Sequence, residues 1–129
     1  MPENKLEYAP NNLELVGLKK FFKISEEWRL DDVQRYHLLG VENVSQIKEY
    51  EKNLTQSKVS STLNLEQLQH TLYLVKIHKA IATLFNGFSV RRDYVHLLHR
   101  EFEGHSILEV LMEGELNDFD KVCSYLEAN

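Results

Sequence analysis

Residues 64–85, NLEQLQHTLYLVKIHKAIATLF, decide the fold. Asn64 with Gln67 three residues later reads as a capping box, in which each partner satisfies a backbone N–H of the other. The helix it opens carries Leu65, Leu68, Leu72 and Val75 on one stripe, and Leu74, Ile77, Ile81 and Phe85 on a second. A helix apolar on two faces is buried between two sets of neighbours. The spacing therefore predicts a central helix, ended by Gly87, that joins two halves of an all-α domain.

Upstream, helix is permitted nearly everywhere after residue 10, because Pro2 and Pro10 are the only prolines. Residues 1–11 read as a flexible leader. A first helix is expected from about Asn12 to Trp28, with Leu15, Leu18 and Phe22 at spacings of three and four and with Phe21, Ile24 and Trp28 widening the stripe. A second starts after Asp31, a good N-cap. It carries Val33, Tyr36 and Leu39 and ends at Gly40, which suits the left-handed position that closes a helix. A third runs from about Ser45 to Leu54, with Ile47 and Tyr50 at i, i+3. The Ser/Thr-rich stretch Thr55–Thr62 reads as a loop.

Downstream, Ser89 can cap a fifth helix with Val90, Tyr94, Leu97 and Leu98 inward. Residues 101–105 leave the helix. Ser106 with Glu109 makes another capping box, for a sixth helix ended by Gly114. Asn117 with Asp120 starts the last, with Phe119, Val122, Cys123 and Leu126 on one face. Alternating strand patterns and internal repeats are absent. The expected architecture is all-α, six to seven helices, in four parts. Residues 1–11 are a leader, 12–63 a helix-turn-helix-like module, 64–86 the connecting helix and 87–129 a small C-terminal module.

The 129 residues suit one domain with a core of its own. A net charge of -5 argues against general affinity for nucleic acid. The charge is uneven. Lys19–Lys58 holds eight Lys/Arg against seven Asp/Glu, whereas Asn86–Asn129 holds four against nine. An acidic C-terminal module is either a solvated face or an electrostatic match to a basic partner. One cysteine, Cys123, excludes an internal disulfide and suits a reducing cytoplasm. No signal peptide and no membrane span are expected.

Candidate chemistry is sparse. No G-x-S-x-G, phosphate-binding loop or dinucleotide fingerprint occurs, so no enzyme activity and no cofactor is expected. His96 and His99 are three apart and could share a helix face, followed by Glu101, Glu103 and His105, but the spacing of a zinc helix is missing and no metal site is assigned. His37, His70 and His78 are scattered. Cys123 lies on the apolar stripe of the last helix, where a thiol is inert. The second and third helices fit a helix-turn-helix, LDDVQRYHLLG, VENV, SQIKEYEKNL. Asn43, Ser45, Gln46 and Lys48 are its candidate base-reading residues, with Lys52 and Lys58 for phosphates. Glu42, Glu49 and Glu51 put like charge beside those phosphates and weigh against DNA.

Residues 13–126 carry a resemblance. Tyr94-Val95, then Phe102, Gly104, Ser106, Leu108, Leu111 and Gly114, then Val122, Tyr125 and Leu126 follow a recurring order. Upstream, Phe21-Phe22 to Trp28, then Leu38-Leu39-Gly40-Val41, then the Leu-rich helix from Leu65 to Leu84-Phe85 accompany it. In that order the chain resembles the Xre/MbcA/ParS-like antitoxins of bacterial type II toxin–antitoxin systems, with a helix-turn-helix module and a C-terminal toxin-binding module. Ile107 stands where the family has Pro, His99 where it has Asn, and Tyr94-Val95 where it has Trp-Leu. The resemblance implies a cytoplasmic antitoxin that covers the active site of a cognate toxin, a RES-type NAD-consuming enzyme or an ADP-ribosyltransferase. It assigns toxin contact to Tyr94, Phe102, Gly104, Ser106, Glu109, Glu113, Asp118, Tyr125 and Glu127. Homodimerisation and repression of its own operon belong to the same family. The alternative reading is a stand-alone helix-turn-helix transcription regulator.

Overall fold

The computed structural model describes residues 2–55 and 63–128. Within them lie seven α-helices and one short hairpin, an all-α architecture. The helices are α1 (Pro2–Glu27), α2 (Asp32–Leu39), α3 (Val44–Thr55), α4 (Leu65–Leu84), α5 (Phe88–His96), α6 (Ile107–Met112) and α7 (Leu116–Glu127). Strands β1 (Leu98–His99) and β2 (His105–Ser106) pair antiparallel around a 3₁₀ turn, Arg100–Phe102. Most of the expected Ser/Thr-rich loop, and Lys58 with it, lies outside the described residues.

α4 is the hub. It packs against α1 on one side and α7 on the other, and it also touches α2. Asn64 and Gln67 cap it reciprocally, as their spacing requires. Its buried face is Leu74, Ile77 and Ile81, joined by His70 and Thr71. The other expected stripe is split. Leu68 and Val75 are half-buried, whereas Leu65 and Leu72 face solvent. Two flanking helices leave a third side of a cylinder open.

α1 contributes Leu18, Phe21, Phe22 and Ile24 to the core and Trp28 follows directly after it, whereas Leu15 of the expected stripe is half-buried. It begins at Pro2, ten residues before the start read from the sequence, and runs through the stretch taken as a leader. Pro2 has no donor to lose at a helix start, and Pro10 removes a single backbone bond. The C-terminal end closes with Arg29 left-handed, φ 57°, where Leu30 N–H reaches Ser25 O at 2.9 Å and Arg29 N–H reaches Glu26 O at 3.1 Å. That reversal drives Leu30 into the core.

Asp31 caps α2 in a capping box with Gln34. Gly40 closes it at φ 83°, and a Cβ there would lie 3.2 Å from the His70 ring. Val33 is exposed, so α2 buries Leu38 and Leu39 in place of the expected Val33–Tyr36–Leu39 stripe. α3 buries Ile47 and Tyr50 as expected.

The C-terminal third departs most. α5 is capped by Gly87 without a side-chain bond, and Ser89 lies inside its first turn. Of the four residues expected inward there, Tyr94 is half-buried, while Val90, Leu97 and Leu98 are exposed and Val95 takes the core position. α6 is capped by Ser106 and Glu109 as expected. α7 starts at Leu116, one residue before the expected Asn117 cap, and buries Phe119, Val122, Cys123 and Leu126. Among the described residues no helix is long and apolar enough to cross a membrane.

Candidate functional site

The expected partner-binding residues separate into an aromatic knot and an acidic surface. The hairpin builds the knot. Glu103 and Gly104 are both left-handed, at φ 58° and 87°, and Gly104 N–H closes the turn on His99 O at 2.9 Å. This folds His99 back among Tyr94, Phe102 and Tyr125, with ring centroids 5.0, 5.8 and 6.0 Å away, all edge-on. Phe102 and Tyr125 meet at 5.1 Å, Phe85 sits 4.7 Å from Tyr94, and the Lys121 ammonium stands 5.9 Å over Phe102. Edge-to-face rings of this kind add attraction beyond the area they bury. Burial first, and the neighbouring Tyr125 second, push the Tyr94 hydroxyl above its ordinary range.

Phe102 and Ser106 are buried and shape the hairpin from within. Gly104, Glu109, Glu113 and Glu127 face solvent, and Tyr94, Asp118 and Tyr125 are half-buried. Several carboxylates already have internal work. The Ser106 N–H donates to Glu109 at 2.8 Å, and that backbone bond holds the Glu109 carboxyl below its usual range. Glu127 accepts from the Cys123 thiol at 3.6 Å and lies 3.9 Å from Lys76. Burial raises the Cys123 thiol, which leaves it unreactive.

Around this module lies an apolar surface the sequence did not show. Val90 is 47% exposed, Leu97 56% and Leu98 64%. Val90 and Leu97 are seven residues apart, two helical turns, so they share one stripe on the side of α5 away from Val95. Leu98, also exposed, follows on β1.

His96 and His99, which the sequence would allow on one helix face, lie apart. α5 ends at His96, whose Nε2 donates to Trp28 O at 3.1 Å, while His99 sits on β1 in the knot. Among the described residues no group of three or more His, Cys, Asp or Glu side chains converges.

The DNA-reading candidates are largely occupied. Gln46 N–H donates to Asn43 Oδ1 at 3.1 Å, and Gln46 Oε1 accepts from Glu42 N–H at 2.6 Å, so both side chains cap α3. Lys48 pairs with Asp32 at 3.1 Å. Ser45 and Lys52 are exposed.

A second site was invisible in the sequence. Between α1, α4 and α5 lies a groove of about 600 Å³. In its lining the Glu27 carboxylate is forked by Arg91, whose Nε and Nη2 each donate at 3.2 Å, while His78 Nε2 lies 3.0 Å from Glu27 Oε2. Arg91 also donates to Phe85 O at 3.2 Å and stacks 5.0 Å from the Phe88 ring. Ile24, Val75 and Phe88 supply apolar wall, and Lys20, Lys23 and Glu26 supply charge. Glu27 and Arg91 are 64 residues apart, so no local pattern announces the pair.

No family model matches the chain. It is 27% identical over 111 residues to a protein of Sinorhizobium fredii named Uncharacterized protein y4oB, an alignment covering 86% of this chain and 81% of that one.

Proposed function

We propose that the chain is an antitoxin whose C-terminal module seats on a cognate toxin, a RES-type NAD-consuming enzyme or an ADP-ribosyltransferase, and closes its active site. The observation that carries this reading is the exposure of three large apolar side chains within nine residues, Val90, Leu97 and Leu98, each about half or more exposed. An exposed apolar patch on a small domain marks an interaction surface. Exposed acidic residues lie in the same module, among them Asp93, Glu101, Glu103 and Glu113. Enzymes that hold a dinucleotide carry positive charge for its phosphates. Exposed apolar and acidic residues in one module suit such an entrance in both packing and charge. The role is obstruction in the cytoplasm, with no chemistry of its own.

The helix pair α2–α3, joined by a four-residue turn at Gly40, supports a second activity, repression of the operon by a homodimer on operator DNA. Asn43, Ser45, Lys48 and Lys52 are its exposed candidates, with Asn43 and Lys48 bonded within the chain.

The test is a titration of NAD turnover by the enzyme encoded beside this gene. Wild-type chain should abolish turnover at one equivalent. Val90→Glu with Leu97→Glu should melt like wild type, because both positions already face water, yet should inhibit at least tenfold more weakly, a loss of about 1.4 kcal/mol or more. Undiminished turnover with excess wild-type protein defeats the proposal. Full inhibition by the double variant moves the contact off this stripe. A gel shift on the upstream promoter that weakens steeply with salt supports the DNA activity, and none at low salt removes it.

A further inference from the structure

We infer that the groove between α1, α4 and α5 is a binding site for an amphipathic carboxylate, a small molecule with one anionic head on an apolar body. This goes beyond the docking surface on α5, because Phe88 and Arg91 lie on the Val95 side of that helix and Val90 and Leu97 on the other. Its volume, about 600 Å³, falls within the range of small-molecule sites.

The wall selects for an apolar body. Ile24 and Val75 line it from α1 and α4. Phe88 stands at 69% exposure, held by Arg91 against one face of its ring. An exposed phenyl ring fixed at the edge of an apolar groove gains free energy when a ligand covers it.

The charges select for an anion. The Glu27 carboxylate is neutralised in place by Arg91 and bonded to His78. With that pair cancelled, Lys20 and Lys23 remain against Glu26, an excess of one positive charge in a chain whose net charge is -5. Lys20 and Lys23 are three residues apart on α1, so they stand on one side of the helix. Among the described residues neither has an ion-pair partner within 4.0 Å. Two neighbouring ammonium groups beside an apolar wall match a carboxylate head on an alkyl or aryl body. A bare phosphate would leave the wall wet, and a neutral amphiphile would leave the lysines without a counter-charge.

Decanoate, decanol and inorganic phosphate are the probes, each titrated into the full chain and followed by amide chemical shifts. Decanoate should saturate with shifts confined to residues 20–27, 75–78 and 88–91. Decanol and phosphate should each bind at least about tenfold more weakly. Lys20→Glu with Lys23→Glu, both exposed, should weaken decanoate by about tenfold or more while leaving the melting temperature in place. Val90→Glu with Leu97→Glu should bind decanoate like wild type. Equal affinity for decanol, tight binding of phosphate alone, unaltered decanoate affinity in the lysine variant, or shifts centred on Leu97 and Leu98 would each overturn the assignment.

Discussion

Glu27→Gln removes a charge and keeps the shape, and the groove sets what that costs. The Glu27 side chain is 10% exposed and that of Arg91 12%, so neither charge is rescued by bulk water. Arg91 donates two bonds to the carboxylate, one to each oxygen. A glutamine offers one oxygen and turns an amide N–H₂ toward another donor. Hydrogen bonds to charged groups contribute about 1.5–3 kcal/mol each, and removing one member of a buried pair costs about 3–5 kcal/mol. The carbonyl of Phe85 and the ring of Phe88 still hold Arg91, which tempers the loss. The expected destabilisation is about 3 kcal/mol, or a fall of roughly 10 °C in melting temperature for a chain of this size. Urea unfolding followed by circular dichroism measures it, with an unchanged slope confirming that the folded and unfolded states are comparable. Arg91→Met alone should cost a similar amount. The double variant should cost about 2 kcal/mol less than the sum, since each single change strands the other's partner. A single-variant cost under about 0.5 kcal/mol, or additivity within about 0.5 kcal/mol, would refute the reasoning. The pair would then behave as an exposed ion pair screened by groove water.

Phe119→Ala should cost about 3–5 kcal/mol, because the ring is fully buried and packs 4.6 Å from His70; unchanged melting would take α7 off the core. Gly40→Ala should be worse than Gly104→Ala. Both carry φ above 80°, which costs a side chain about 1–2 kcal/mol, but only at Gly40 does the new Cβ also press on the His70 ring, whereas at Gly104 it meets nothing within 4 Å. Equal losses in a melting comparison would discount that contact. The hydrogen bond from Lys48 holds the Asp32 carboxyl below its ordinary value of 3.8. A folded value below the unfolded one means stability that is present above about pH 4 and lost as the pH falls through the depressed value. Wild type should therefore exceed Asp32→Asn by up to about 1 kcal/mol at pH 6, with the gap narrowing as the pH falls below about 4, and a gap that does not narrow on acidification would rule this linkage out.

What could be read in the chain follows the range of the forces involved. Helix caps are local devices, so the Asp31 N-cap and the capping boxes Asn64–Gln67 and Ser106–Glu109 were legible and place three helix starts, while the Gln34 half of the first cap appeared only in the structure. The stripe of α7 was legible for the same reason, since its four buried residues repeat at helical spacing. α5 misled because it is short. Over so few turns, Val90 and Tyr94 with Leu97 just beyond make as good a stripe as the pair Arg91 and Val95 that packs inward. Which stripe turns in depends on Glu27, on the end of α1, which receives His96, and on α6, which packs against α5. The hairpin escaped because two-residue strands carry no alternation to read.

The sequence alone determined the class of the protein: an all-helical chain organised about Asn64–Phe85, with an acidic C-terminal third and a core of Leu, Ile and aromatic residues at helical spacing. Those features are local, set by backbone geometry and by the tally of charges along the chain. Only the tertiary structure decided which apolar residues stay in water and which charges meet. Val90 and Leu97 remain exposed because α5 turns Val95 and Arg91 inward, and the groove exists because α1 and α5 bring Glu27 and Arg91 together across 64 residues. Such pairings arise from the whole packing arrangement, and no short segment encodes them.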